Sequence, residues 1–126
     1  MSRIVAALSM GEPVSVDEGR LQDIVNELGE RAAEGLIQLA LEQMALGVHS
    51  LRGAVRQGDA PAIVAQAERL SRLAWQIGLV TLAGVAVDIA ACARCGDPVA
   101  LDAVMARLVR VADRSLLDIW DSLRDG

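Results

Sequence analysis

The chain has 126 residues, of which 53% are hydrophobic but only 2% aromatic, with no Phe and no Tyr. One domain of that length buries roughly two-thirds of its unfolded surface, and a core restricted to Leu, Val, Ile, Ala and Met suits close helix packing better than a β-sandwich. All 12 positive charges are Arg, the net charge is −5 and no basic stripe runs along the sequence, which argues against a nucleic-acid partner.

Residues 1–14 read as a flexible leader containing Gly11 and Pro13, ahead of one helical domain over residues 15–126. The apolar run Ile4 to Met10 follows a single Arg3, is shorter than most signal-peptide cores and has no convincing cleavage site. Ser15 or Asp17 can cap a first short helix that ends near Gly29, with Ile24, Val25 and Leu28 as its apolar stripe. A long helix follows from about Glu30 to Gln57. Leu36, Ala40, Met44, Gly47, Leu51, Ala54 and Val55 fall on one face, and Glu42, His49, Arg52 and Arg56 fall away from it.

Gly58-Asp59 stops that helix, and Asp59 with Pro61 starts the next as an N-cap followed by an early proline. The third helix runs to about Ile77, with Ile63, Ala67, Leu70, Ala74 and Ile77 facing the core, and Gly78 breaks it. The fourth spans roughly Leu79 to Cys95, and Gly96-Asp97-Pro98 repeats the stop-and-start chemistry. A fifth continues to about Leu123 on Leu101, Val104, Leu108, Val111, Leu116 and Ile119. Asp113, Asp118 and Asp121 form its solvated face. The expected fold is therefore all-α: an antiparallel up-down four-helix bundle, with the short N-terminal helix packed on as a cap.

The longest apolar stretch, Leu73 to Ala93, contains Gln76, Gly78, Gly84 and Asp88. A spanning helix needs about 20 nearly uninterrupted apolar residues, so this stretch reads as two buried helical segments and no membrane partner is expected. Cys92-Ala93-Arg94-Cys95 is a lone CxxC at a helix end. Zinc requires four ligands, and with one His and no third Cys no metal or other cofactor is expected. Packing at the helix end is the simplest role for the pair. Two neighbouring cysteines make no disulfide framework, and the cytoplasm is the expected compartment.

The order of elements resembles the histidine-phosphotransfer (HPt) domain family. In outline those domains have a long helix, Gly-Asp, then Ala-His-x-Leu-Lys-Gly followed by Leu-Gly, another helix, Gly-Asp and a last helix. Here Gly58-Asp59 precedes Ala67-Glu68-Arg69-Leu70-Ser71-Arg72 and Ile77-Gly78; Leu82, Ala83, Ile89, Arg94 and Gly96-Asp97 follow. The opening, Val16-Asp17 through Leu28-Gly29-Glu30, matches too. The resemblance spans roughly residues 15 to 123 and implies an HPt-like bundle in two-component phosphorelay signalling, with a response-regulator receiver domain as partner. In the family the histidine takes phosphate from a receiver aspartate, the lysine offsets charge and the glycine gives clearance. Those positions carry Glu68, Ser71 and Arg72 here, so the resemblance implies a degenerate member that binds receivers without phosphotransfer through the usual histidine.

Glu68 lies about 100° around the helix from Ala67 and points outward. Its neighbours Val64, Ala65, Arg69, Arg72 and Trp75 make up the expected partner-binding surface, with Val64 and Trp75 as exposed apolar groups. A plainer role for Glu68 is a surface ion pair with Arg72 at i,i+4, worth a few tenths of a kcal/mol. His49, the only histidine, is followed by Ser50-Leu51-Arg52-Gly53, which locally matches the family motif better. In that register the downstream helices no longer correspond. An active phosphotransferase using His49, beside Arg52 and Arg56, is the catalytic alternative. His49 and Glu68 stand about nine residues either side of the turn and so at similar height. A bundle with no signalling role, in which Val64 and Trp75 lie in a homodimer contact, is the third reading.

Overall fold

The computed structural model describes the backbone of residues 17–125 and the side chains of residues 17 and 19–116. Among the described residues five helices follow one another: α1 (Glu18–Leu28), α2 (Glu30–Gln57), α3 (Ala60–Gln76), α4 (Val80–Cys95) and α5 (Pro98–Asp125). The leader and the candidate cap Ser15 lie outside the described residues; Asp17 is the cap, accepting a hydrogen bond from the Arg20 amide at 3.0 Å.

Local chemistry sets the breaks. Gly58 and Gly96 both adopt the left-handed conformation with φ of 67°, closed by 6→1 hydrogen bonds from Asp59 N to Ala54 O and from Asp97 N to Cys92 O. The aspartates then cap the next helices, Asp59 accepting from Ala62 N at 3.1 Å and Asp97 from Ala100 N at 3.0 Å. Such a cap is worth about 1 kcal/mol. The third turn differs: Gly78, with φ of 82°, ends α3 by the same pattern, but Leu79 offers no side-chain cap to α4.

Short turns force antiparallel neighbours. α2 packs on α3, α3 on α4, α4 on α5 and α5 back on α2, closing a ring of four, while α1 lies against α2. The Asp17 amide donates to Gly78 O at 2.8 Å and Arg20 Nε donates to Gln76 O at 2.8 Å, so α1 caps the end of the bundle where α3 turns into α4. The all-α, antiparallel four-helix bundle with an extra short helix is the expected one.

The core runs the length of the ring through Ile37, Leu41, Met44, Leu51, Leu70, Leu82, Ile89 and Leu108. Each such buried side chain contributes about 1.5–3 kcal/mol relative to exposure. The four residues expected to be core within α3, and Ile77 at its C-cap, are all buried. In α2 the expected stripe is displaced: Ala33, Ile37 and Leu41 are buried, whereas Ala40 is half-buried and Leu36 is 43% exposed. The helix carries two apolar stripes, and the expected one drew its first residues from the outer of the two. In α1 Leu21 and Ile24 are buried and Val25 is half-buried, but Leu28 is exposed, because the chain turns away at Gly29. Leu101 and Val104 are half-buried in α5, where Met105 and Ala112 go deeper; Ile119 lies beyond the described side chains. No described helix is long and apolar enough to cross a membrane, since Ile77 to Leu79 interrupt the apolar stretch from Leu73 to Ala93.

Candidate functional site

The candidate surface is built on α3. Burial of Ile63, Ala67, Leu70 and Ala74 fixes the helix rotation and leaves two edges free. One edge faces α4. There Ser71 Oγ donates to Ala83 O at 3.1 Å across the helix contact, and the Glu68 carboxylate pairs with the Arg94 guanidinium at 2.5 Å. The other edge faces α2, where Arg69 Nη2 reaches Gln43 Oε1 at 3.5 Å, and Leu70 is the nearest neighbour of the Gly47 α-carbon face.

Glu68 is 45% exposed, so its carboxylate lies at the rim of the α3–α4 groove, accessible from outside. The expected i,i+4 pair with Arg72 is not formed. Glu68 lies on the flank packed against α4, and Arg94 in the last turn of α4 reaches across to it. Arg72, further around toward solvent, makes no hydrogen bond or ion pair among the described residues. Both partners of the Glu68–Arg94 pair are substantially exposed, and pairs of this kind contribute only about 0–1 kcal/mol. Val64 is a second correction. It is half-buried and packed against the core, because three residues before Ala67 is still within the buried arc. Trp75 is exposed as expected, at 63%, and Ala65, Arg69 and Arg72 are exposed as well.

The sequence reading missed three features of this surface. Leu39 and Leu46 on α2, 54% and 64% exposed, form with Leu36 an apolar stripe on the α3-facing side of that helix, the side that carries Gln43. The signal was present as surplus leucines at helical spacing beside an already complete core stripe. On α4, Val87 is 55% exposed. That helix is apolar nearly all round, which marks a helix expected to be covered on more than its core side. Arg94 as the partner of Glu68 could be found only from the packing of α3 on α4.

His49 is exposed on α2 but turned elsewhere. Arg52 and Arg56, three and seven residues on, line a shallow groove of about 310 Å³ with Met105, Ala106 and Val109 of α5. His49 lies one turn before Arg52 on the same helix and is not part of that groove's lining, while Glu68 pairs across to α4. No hydrogen bond or ion pair joins them among the described residues. The two cysteines are free thiols, Cys92 half-buried and Cys95 exposed. Cys92 lines a groove of about 350 Å³ between the two Gly-Asp turns, as packing at a helix end requires, but Cys95 packs against nothing that buries it. No cluster of metal-ligating side chains occurs among the described residues.

No family model matches the sequence, and no curated protein matches it either. Among solved structures the fold is similar to histidine-containing phosphotransfer protein B (HptB) from Pseudomonas aeruginosa PAO1, with a TM-score of 0.79 and 21% sequence identity over 88% of this chain and 96% of that one. At that identity the likeness establishes the fold: this chain is an all-α bundle built as a histidine-containing phosphotransfer protein is built.

Proposed function

We propose that this chain is a pseudo-HPt protein, which binds a response-regulator receiver domain through the exposed side of α3 and carries no phosphate at Glu68. The observation that supports this best is the position of Glu68. It is an outward carboxylate at mid-helix in an HPt-like bundle, with Arg69, Arg72 and Trp75 exposed on its own helix and exposed leucines on α2 beyond the opposite edge of that helix. A carboxylate has no nucleophilic nitrogen and cannot become a phosphohistidine. Its single charge, already paired with Arg94, also falls short of the nearly two charges of a phosphate at neutral pH. Docking is what the surface retains. Apolar side chains rimmed by arginines suit a receiver, whose phosphoacceptor pocket is acidic, and Trp and Arg are the residue types enriched at binding hot spots.

The test is a titration of the purified chain with receiver domains from the same cell, alongside incubation with phosphorylated receiver. Binding without transfer of acid-labile phosphate to the chain is the expected result. Label that disappears in His49→Ala would instead establish the catalytic alternative, and a stable dimer burying Trp75, with no receiver bound, would establish a structural role.

A further inference from the structure

We propose that Cys92 and Cys95 are a reversible oxidation site: hydrogen peroxide joins the two thiols as a disulfide across the last turn of α4, which loosens the turn into α5, and a thiol reductant restores it. The inference does not depend on receiver binding.

The two cysteines bracket one turn. Cys95 is the last residue of α4, and Cys92 opens the turn that Cys95 closes. Residues three apart on an α-helix have α-carbons about 5 Å apart, inside the range of about 4.4–6.8 Å that a disulfide spans. Their β-carbons, about 5–6 Å apart on a helix, must close to about 3.8 Å in the bond, so oxidation draws the turn tighter. In mid-helix the turns on both sides would resist that closure. At Cys95 the helix ends, and only the left-handed Gly96 cap has to yield.

Exposure divides the roles. Both are free thiols, Cys95 exposed and Cys92 half-buried in the groove with Gly58, Ile63, Pro98 and Leu101. Packing accounts for Cys92 but not for Cys95, whereas an accessible thiol beside a second, resolving one is the arrangement of redox-sensing cysteines. The Cys95 sulfur, its proton lost to solvent, attacks one peroxide oxygen. The O–O bond breaks, the departing hydroxide takes up a proton as water, and Cys95 is left as a sulfenic acid. The Cys92 sulfur, likewise deprotonated, then attacks the Cys95 sulfur; the S–O bond breaks and a second water leaves. Two electrons have passed from the thiols to the peroxide. The backbone carries the consequence onward. Cys92 O accepts from the amides of both Gly96 and Asp97, and the Asp97 carboxylate in turn caps α5 through Ala100 N at 3.0 Å. Tightening the turn at Cys92 therefore pulls on the cap of the next helix.

The experiment treats the reduced full chain, freed of reductant, with hydrogen peroxide. A monomer lighter by two hydrogens and without free thiols is expected, and dithiothreitol should restore both thiols. In the oxidised chain, amide exchange at Asp97 and Ala100 should quicken about 10-fold, while Asp59 and Ala62, in the matching turn without cysteines, should not change. Cys92→Ser, which lacks the resolving thiol, should retain oxygen on Cys95 by peptide mass, and Cys95→Ser should keep the Cys92 thiol intact. Oxygen added at Cys95 of the unaltered chain with no disulfide, or a covalent dimer in its place, would overturn the proposal. So would unchanged exchange at Asp97 in the oxidised chain, or ready oxidation of Cys92 in Cys95→Ser.

Discussion

The two edges of α3 face different neighbours and are built in different ways. Toward α4 the contact is close and polar at its rim: Ser71 donates to the Ala83 carbonyl, Glu68 pairs with Arg94, and the Gly78 turn clamps the helix ends together under Asp17. Toward α2 the rim is open, with Leu39 and Leu46 exposed and the long Arg69–Gln43 contact bridging it. The first edge is fixed by interactions within the chain. The second leaves apolar surface to be covered by something else, which is what a docking edge requires.

The largest expected effect comes from breaking the clamped edge at Gly78. A Cβ there would lie 2.8 Å from the Asp17 carbonyl oxygen, at a φ of 82°. Left-handed backbone alone costs a non-glycine residue about 1–3 kcal/mol. Gly78→Ala should therefore lower unfolding stability by about 2 kcal/mol or more in urea denaturation, with α1 released from the bundle end. The same change at Gly84, where a Cβ meets nothing within 4 Å, should not destabilise and serves as the control.

The open edge should respond in the opposite sense. Leu39→Asp removes a leucine that is already mostly outside the core, so stability should move by no more than about 0.5 kcal/mol. Receiver affinity should fall about 10-fold, equivalent to about 1.4 kcal/mol, in isothermal titration. A loss of stability together with unchanged affinity would mean that Leu39 belongs to the core. The smallest effect is expected at the rim of the closed edge. Glu68→Gln and Arg94→Gln, combined in a double-mutant cycle on unfolding stability, should give a coupling of about 0–1 kcal/mol. A coupling well above that range would make the pair a structural element instead of a surface feature.

Much of this architecture was legible from local chemistry. Each Gly-Asp dipeptide holds its own stop and start signal, in that glycine supplies the left-handed residue and aspartate the next cap. Both turns fall where the sequence puts them. The rotation of α3 was also legible, because Ile63, Ala67, Leu70 and Ala74 make one unambiguous stripe. In α2 the surplus of leucines made the rotation ambiguous. Periodicity alone does not say which of two stripes, the one with Ile37 and Leu41 or the one with Leu36 and Leu39, meets the core; that depends on where α3 and α5 sit. The partner of Glu68 is a similar case. An i,i+4 arginine is visible in sequence, whereas Arg94 lies 26 positions away and is brought near by the turn at Gly78. Val64 was misplaced because residues at the border of a buried arc are decided by the neighbouring helix.

The most direct test of receiver docking through the exposed side of α3 is to titrate unlabelled receiver into the isotope-labelled full chain and map amide chemical-shift changes. The account predicts that shifts gather along residues 36–46 of α2 and 64–75 of α3 and leave His49 and the α2–α5 groove at Arg52 and Met105 undisturbed. A footprint centred on His49 and Arg52, or no footprint with any receiver from the same cell, would contradict it.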